Sequence, residues 1–238
     1  MVLFAISTFS ASASASIQSQ IQKKVYGNHT IWIDCAQRSA VMFKVLQGKD
    51  LWNQNRTDVF SFDPTLGREC QQYSTDTYRG MFGKDSYHRG HLVSANALDL
   101  NRQSMIESFY MSNVVPQNAK FNTGAWLRTE EYQECFREQS QILVIGGVVY
   151  SNTKNDHFVK SHGIKTPDFF WKVIITGNSH YAWYFPNTAA ATAKKTNNFL
   201  VSLEKLDKKL GYSLNLDLDK KFVAPKNSFP DTWKCDLS

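Results

Sequence analysis

Apolar residues fall into several β-rich runs that predict the strands of a sheet. Two of these runs, IWIDC and VMFKVL, lie within residues 31–46. The run ILVIGGVVY at 142–150 is continuously apolar, which is typical of a strand buried on both faces. DFFWKVIIT at 168–176 and HYAWYFP at 180–186 flank a Gly-Asn-Ser turn, so they predict a hairpin. Together the runs indicate a mostly antiparallel sheet.

Two other segments carry the periodicity of amphipathic helices. Residues 197–210 precede Gly211, a helix stop signal, and present one apolar stripe made of Phe199, Leu200, Leu203, Leu206 and Leu210. Residues 121–139 have acidic residues early and apolar residues at helical offsets, and the upstream segment 108–117 (SFYMSNVVPQ) predicts a strand. We therefore expect strand, loop, strand and helix over 86–139. The predicted fold class is α+β (mixed α/β), with a central sheet flanked by helices in one domain over 16–238.

Composition and charge add a weak indication of the partner. Hydrophobic residues make up 42% of the 238 residues, enough for a sizeable core, and the net charge is +6 with a pI near 9.0. A basic surface favours phosphate-rich partners or an anionic membrane, although many basic proteins bind neither. Residues 51–86 are polar and turn-rich, and we expect them to form a long ordered excursion outside the core.

The N-terminus predicts a signal peptide. An apolar run from Val2 to Phe9 is followed by small residues with A-x-A spacing, which predicts cleavage after about residue 15. The alternative is a Ser/Ala-rich tail. Over the remainder no run approaches the ~18 apolar residues of a transmembrane helix. We therefore predict a secreted, periplasmic or extracellular protein that does not associate with membranes once residues 1–15 are removed.

The four cysteines agree with an oxidising compartment. None has the C-x-x-C spacing of a zinc or redox site, and an even number behind a signal peptide indicates two disulfides. Of the three possible pairings we favour Cys35–Cys70 with Cys135–Cys235.

Two motifs stand out within residues 86–139: HRGH at 88–91 and SNVVPQNAKFNTGAWLRTEE at 112–131. Together they resemble the DNA/RNA non-specific endonuclease family, the ββα-metal (His-Me finger) nucleases of the Serratia type. That family carries D-R-G-H, then S-N-x-x-P-Q, then N-x-G-A-W and a Glu eight residues after that Asn. The matching residues are Arg89, Gly90, His91, Ser112, Asn113, Pro116, Gln117, Asn122, Gly124, Ala125, Trp126 and Glu130. His88 departs from the pattern, because the family has Asp there.

The resemblance implies a metal-dependent endonuclease for DNA and RNA, with Mg²⁺ or alternatively Mn²⁺ as cofactor, and a homodimer. In the family the residue matching His91 is the general base, and the residue matching Asn122 binds the metal. The chemistry agrees, because a neutral imidazole is the commonest side-chain base near neutral pH. Mg²⁺ keeps several waters and needs few protein ligands, so a single Asn ligand is sufficient.

Four further residues are candidates for the active site. An ideal helix separates Glu130 from Asn122 by about 12 Å and about 80°, so we expect Glu130 to position metal-bound water rather than bind the ion. Arg89 would stabilise charge on the phosphoryl group. Asn113 matches a family residue near the metal waters. The last candidate is a second phosphate-binding arginine, which matches Arg56 loosely and has Arg68 and Arg79 as rivals.

Each assignment has an alternative. His91 could be structural, Asn122 a helix N-cap and Glu130 a solvated charge, whereas Trp126 is expected in the core. His88 replaces the negative charge that the family has at this position, so we hypothesise a lower pKa for His91 or altered loop packing. Either change would reduce activity, and the alternative function is therefore a catalytically weakened nucleic-acid-binding relative. A zinc site made of both histidines is disfavoured, because residues three apart on a strand point to opposite faces.

Overall fold

The structure is a computed structural model that describes residues 21–51, 54–80, 82–177 and 179–237. The predicted signal peptide lies outside these residues. Within them, the largest sheet has six strands in the order β1-β2-β3-β6-β7-β8, and every neighbouring pair is antiparallel. Its strands are β1 Ile21–Val25, β2 His29–Asp34, β3 Ser39–Gln47, β6 Ile142–Val149, β7 Phe169–Thr176 and β8 Ser179–Pro186. The predicted antiparallel sheet and hairpin are confirmed.

The sheet is covered on both faces, as the continuous apolar runs predict. Successive residues of β7 alternate between two buried clusters. Phe170 and Ile174 belong to the larger cluster, which contains the helices beside the functional site, and Trp171 and Val173 belong to a smaller cluster on the opposite face. The central strands are therefore apolar on both sides.

Five α-helical segments are described. They are α1 Arg102–Ser108, α2 Ala119–Phe121, α3 Leu127–Gln139, α4 Val159–His162 and α5 Leu203–Leu210, with a π turn at Asn122–Trp126 between α2 and α3. None of the helices in the described residues is both long and apolar enough to cross a membrane.

The helix predicted over 197–210 is wrong in its first half. Residues 193–199 form 3₁₀ turns, and Leu200 and Val201 are extended and pair with β8. The α-helix begins only after Ser202, whose hydroxyl accepts a hydrogen bond from the Lys205 amide at 3.2 Å. The predicted stop is confirmed, since α5 ends at Gly211 with φ of +77°. Tertiary pairing with the sheet therefore overrides the helical periodicity of 199–202.

The strand–loop–strand–helix unit is confirmed, with a shorter second strand. Strands β4 Tyr87–His91 and β5 Val114–Asn118 form a separate antiparallel ribbon, and α2 starts directly after β5. The strand predicted over 108–117 is wrong for its first six residues. Residue 108 is the end of α1, which Asn101 caps by accepting a hydrogen bond from the Ser104 amide at 2.9 Å, and 111–113 form a 3₁₀ turn.

Both predicted disulfides are confirmed. Cys35–Cys70 joins the end of β2 to the polar excursion 51–86, and Cys135–Cys235 joins α3 to the C-terminal segment. The first bridge therefore holds the excursion against the sheet, where it forms one wall of the cleft described below.

Candidate active site

The ribbon β4–β5 presents the HRGH motif at the edge of a cleft. Gly90 is required by close packing, because a Cβ at this position would lie 2.1 Å from Oε1 of Gln117 on the neighbouring strand. Trp126 fixes the following helix to the ribbon by donating its indole N–H to the His91 carbonyl at 3.1 Å. Trp126 is fully buried, as predicted.

Asn122 begins a distorted stretch of helix rather than an ideal one. Gly124 within the π turn has φ of −116° and ψ of −106°, and the Ala125 amide donates to the Ala191 carbonyl at 3.2 Å instead of continuing the helix. π turns of this kind are frequent at functional sites. Because the helix is irregular here, the ideal-helix separation of Asn122 and Glu130 does not apply, and both side chains line one recess.

His91 packs between two aromatic rings and two cations. Its ring lies 5.4 Å from Phe60 and 4.9 Å from Phe109 between centroids. Burial, and then the positive charges of Arg56 and Arg89, lower the pKa of His91 from 6.5 to about 3. Its Nε2 atom is buried and has no hydrogen-bond partner among the described residues. His91 is therefore held neutral, which is the protonation state that a general base requires.

Arg89 and Arg56 have different partners at the cleft. Arg89 donates to the Thr75 carbonyl at 2.8 Å, and its guanidinium lies 3.6 Å from the Phe60 ring centre. Arg56 is 54% exposed and is paired with Asp58 at 2.7 Å. Both arginines line the same cleft.

The two rivals of Arg56 have different positions. Arg68 donates to the carbonyls of Gln72 and Tyr73 at 2.6 and 3.0 Å, so its guanidinium holds the loop together. Arg79 lines the cleft together with Arg56 and is a further cation available to a phosphate.

Glu130 is partly enclosed and has charged neighbours. It lies in the recess with Asn122 and His91, and burial raises its pKa against the opposing charges of Lys172 and Arg56. Lys172 comes from the middle of β7 and is 1% exposed. Its Nζ lies 3.8 Å from the Trp126 ring centre, and burial lowers its pKa to about 8, opposed by the charge of Glu130.

Asn113 requires a correction. The structure buries it completely, and it is not among the side chains that line the cleft or the recess. Its amide group donates to the carbonyls of Val93 and Ser108 at 2.8 and 2.9 Å, and its oxygen accepts from the Val93 amide at 3.0 Å. Because these bonds occupy both N–H donors, Asn113 clamps the loop between the two strands, and its predicted place near metal waters is not supported.

His88 contacts the proposed metal ligand rather than the proposed base. Its Nδ1 lies 3.1 Å from Nδ2 of Asn122. The low pKa of His91 arises from burial and the two arginines, and His88 is not among its causes. The two histidines of the motif have different neighbours, although both line the cleft. No group of three or more His, Cys, Asp or Glu side chains in the described part of the chain is arranged to hold a metal ion.

The cleft has a volume of about 560 Å³ and the recess about 180 Å³, and they share Arg56, His91 and Asn122. The recess adds the carboxylate of Glu130 to the carboxamide of Asn122. Oxygen donors of this type, beside room for several waters, suit a hard cation such as Mg²⁺. The residues that line the recess are therefore compatible with a divalent cation.

Two residues of the site were not predicted from the sequence. The sequence does contain an indication of Lys172, because a single lysine in an otherwise apolar buried strand requires a counter-charge nearby. Phe60, which packs against both Arg89 and His91, left no such signal in the sequence, because it lies in the polar excursion without periodic neighbours.

The β4–β5 ribbon and the helix that follows it form a ββα unit beside the antiparallel sheet. The chain belongs to the DNA/RNA non-specific endonuclease family, whose model matches residues 9–221. A crystal structure of an EndoG/EndoGI complex shares the fold with a TM-score of 0.66 and 20% identity, covering 86% of this chain and 91% of the matched chain.

Curated relatives support the family at low identity. The mitochondrial nuclease EXOG of Mus musculus is 27% identical over 215 residues, which are 82% of this chain and 57% of the mouse protein. A nuclease of Serratia marcescens is 28% identical over 192 residues, covering 76% of this chain and 70% of the relative. This chain spans less than three fifths of the length of the mouse and human EXOG proteins.

Proposed function

We propose that the protein is a secreted, metal-dependent endonuclease that hydrolyses phosphodiester bonds of DNA and RNA with little sequence specificity. The observation that carries the proposal is the convergence of His91, Asn122 and Arg56 on one cleft, with Arg89 and Glu130 beside them. A neutral base, two cations and an oxygen-donor metal ligand are the groups that phosphodiester hydrolysis requires.

The residues have separate roles. His91 accepts the proton of the attacking water, and Arg89 and Arg56 bind the phosphoryl oxygens. Asn122 holds Mg²⁺ or Mn²⁺, which when bound neutralises phosphoryl charge and assists the leaving oxygen. Glu130 accepts hydrogen bonds from water in the recess and so orients it. Contacts to phosphate carry no sequence information, which explains indifference to sequence.

The location rests on the two disulfides, which favour an oxidising, extracellular or periplasmic compartment. Relatives that are named mitochondrial point to a different compartment for those proteins. A homodimer stays a prediction, and sedimentation of the purified chain would test it.

The second candidate is a catalytically weakened nucleic-acid-binding protein of the same fold. The contact between His88 and Asn122 favours it, because a side chain other than the family's Asp touches the metal ligand. This candidate predicts salt-dependent DNA binding without turnover.

Cleavage of a supercoiled plasmid and of a structured RNA, with Mg²⁺ and with EDTA, tests the proposal. We expect cleavage of both only with the metal, and a loss of about 100-fold or more in His91→Ala and in Asn122→Ala. His157→Ala is the matched control, since His157 stacks on Phe82 outside the recess and should retain activity. Cleavage that survives EDTA or His91→Ala would refute the mechanism, and binding without cleavage would establish the second candidate.

A further inference from the structure

The residue that departs from the family motif touches the proposed metal ligand. His88 is exposed, lines the cleft with Asn122, and has its Nδ1 atom 3.1 Å from the Asn122 carboxamide. We propose that His88 is a second protein ligand of the cation held by Asn122, so that the site offers one imidazole nitrogen and one carboxamide oxygen. The inference rests on the proposed metal dependence and goes beyond it.

The separation of the two side chains suits adjacent ligands of one ion. Two donors at about 2.1 Å from an octahedral cation lie about 3.0 Å apart when they occupy neighbouring positions. The nitrogen and oxygen of a carboxamide have nearly the same shape, so a half-turn of the Asn122 side chain places its oxygen where its nitrogen is. The observed 3.1 Å then becomes the distance between two ligand atoms.

The chemistry of the contact allows a cation to replace the hydrogen bond between these groups. With the nitrogen facing His88, the amide donates a hydrogen bond to Nδ1 of a neutral imidazole. With the oxygen facing His88, two acceptors oppose each other, an arrangement that a cation stabilises and that repels without one. The pair is thus able to exchange a hydrogen bond for a metal ion by rotation of one amide.

An imidazole ligand changes which cation is preferred. Carboxylate, carbonyl and water ligands suit Mg²⁺ and Mn²⁺, whereas imidazole suits Zn²⁺, Ni²⁺ and other transition metals. A histidine at the position where the family has Asp therefore shifts the preference of the site away from Mg²⁺ and toward Zn²⁺ and Ni²⁺. His88, and not His91, is the histidine of the motif that contacts Asn122.

Pulsed EPR of Mn²⁺ added to the full chain tests the proposal without using activity. We expect electron–nuclear coupling to an imidazole nitrogen in the wild type and in His157→Ala, and its loss in His88→Ala. Loss of even an outer partner of a metal ligand weakens affinity by about 10–100-fold, so His88→Ala should weaken Mn²⁺ binding at least tenfold. His88→Asp should restore the affinity and lack the nitrogen coupling.

Two outcomes separate this inference from the proposed function. Mn²⁺ that binds through Asn122 without nitrogen coupling, with unchanged affinity in His88→Ala, would overturn the role of His88 and leave the endonuclease proposal intact. Mn²⁺ binding that is unaffected by Asn122→Ala would instead refute the proposed metal site, and the present inference with it.

Discussion

Replacing Lys172 by Met removes a buried cation from beneath the active-site helix. Lys172 is 1% exposed, lies against Trp126 and faces Glu130. Its pKa falls from 10.5 to about 8 because burial disfavours the charged form more strongly than Glu130 favours it. At about 1.4 kcal/mol per pKa unit, the protonated lysine therefore costs the folded state about 3 kcal/mol.

The sign of the pH dependence follows from the lowered pKa. Between pH 8 and 10.5 the unfolded chain holds a proton on Lys172 that the folded chain has lost. The free energy of unfolding of the wild type therefore rises with pH across this window, and the cost is fully present below pH 8. Lys172→Met has no such contribution. The difference in unfolding free energy between variant and wild type should fall by about 2 kcal/mol from pH 7.5 to pH 10.

Urea denaturation of both proteins at the two pH values measures this difference. Lys44→Met is the matched control, because Lys44 lies exposed on the same sheet and its removal should produce no comparable pH dependence. A difference for Lys172→Met that stays constant with pH, or an equal change in Lys44→Met, would refute the reasoning.

Activity should respond differently from stability. Without the lysine, the pKa of Glu130 loses the first of the charges that lower it and therefore rises further. We expect Lys172→Met to fold at least as stably at pH 7.5 and to cleave DNA more slowly, with recovery of the rate as pH rises. If Lys172→Met is unstable but its pH–rate profile is unshifted, Lys172 contributes to packing alone.

Two further predictions concern the base and the cross-links. The pKa of His91 near 3 predicts that its imidazole NMR signals stay constant between pH 5 and 8, and that Arg56→Ala raises this pKa by removing a cation; a titration centred near 6.5 in the wild type would contradict both. Cys135 and Cys235 are separated by 100 residues, so replacing both by Ser should lower the unfolding free energy by about 5 kcal/mol. Unchanged urea midpoints would show that the bridge does not restrict the unfolded chain.

Strands were predictable from the sequence because burial on both faces leaves a strong local signal. The runs at 142–150 and 168–186 need no knowledge of their neighbours, and the structure places β6, β7 and β8 there. The helix predicted over residues 199–202 was wrong because their structure depends on non-local pairing. Their spacing is helical, but pairing of Leu200 and Val201 with β8 supplies hydrogen bonds that only the assembled sheet can offer.

The site was predictable only where residue identity determines chemistry. The motif identified His91, Arg89 and Asn122, which the structure brings together. It also identified Asn113, whose carboxamide is used to clamp a loop, because an asparagine serves metal binding and backbone capping equally well. The position of Glu130 relative to Asn122 was predicted by assuming an ideal helix. No local sequence pattern predicts the π turn, which changes that position.

The charges around His91 connect the base to its substrate. In the free protein burial, and after it the charges of Arg56 and Arg89, lower the pKa of His91, which keeps the ring neutral and makes it a weak base. A phosphodiester bound to both guanidinium groups would neutralise the part of this depression that the two charges cause. The basicity of His91 would then rise when the scissile phosphate is in place. On the proposed function, the polar excursion that supplies Arg56, held by Cys35–Cys70, therefore tunes the base as well as binding the substrate.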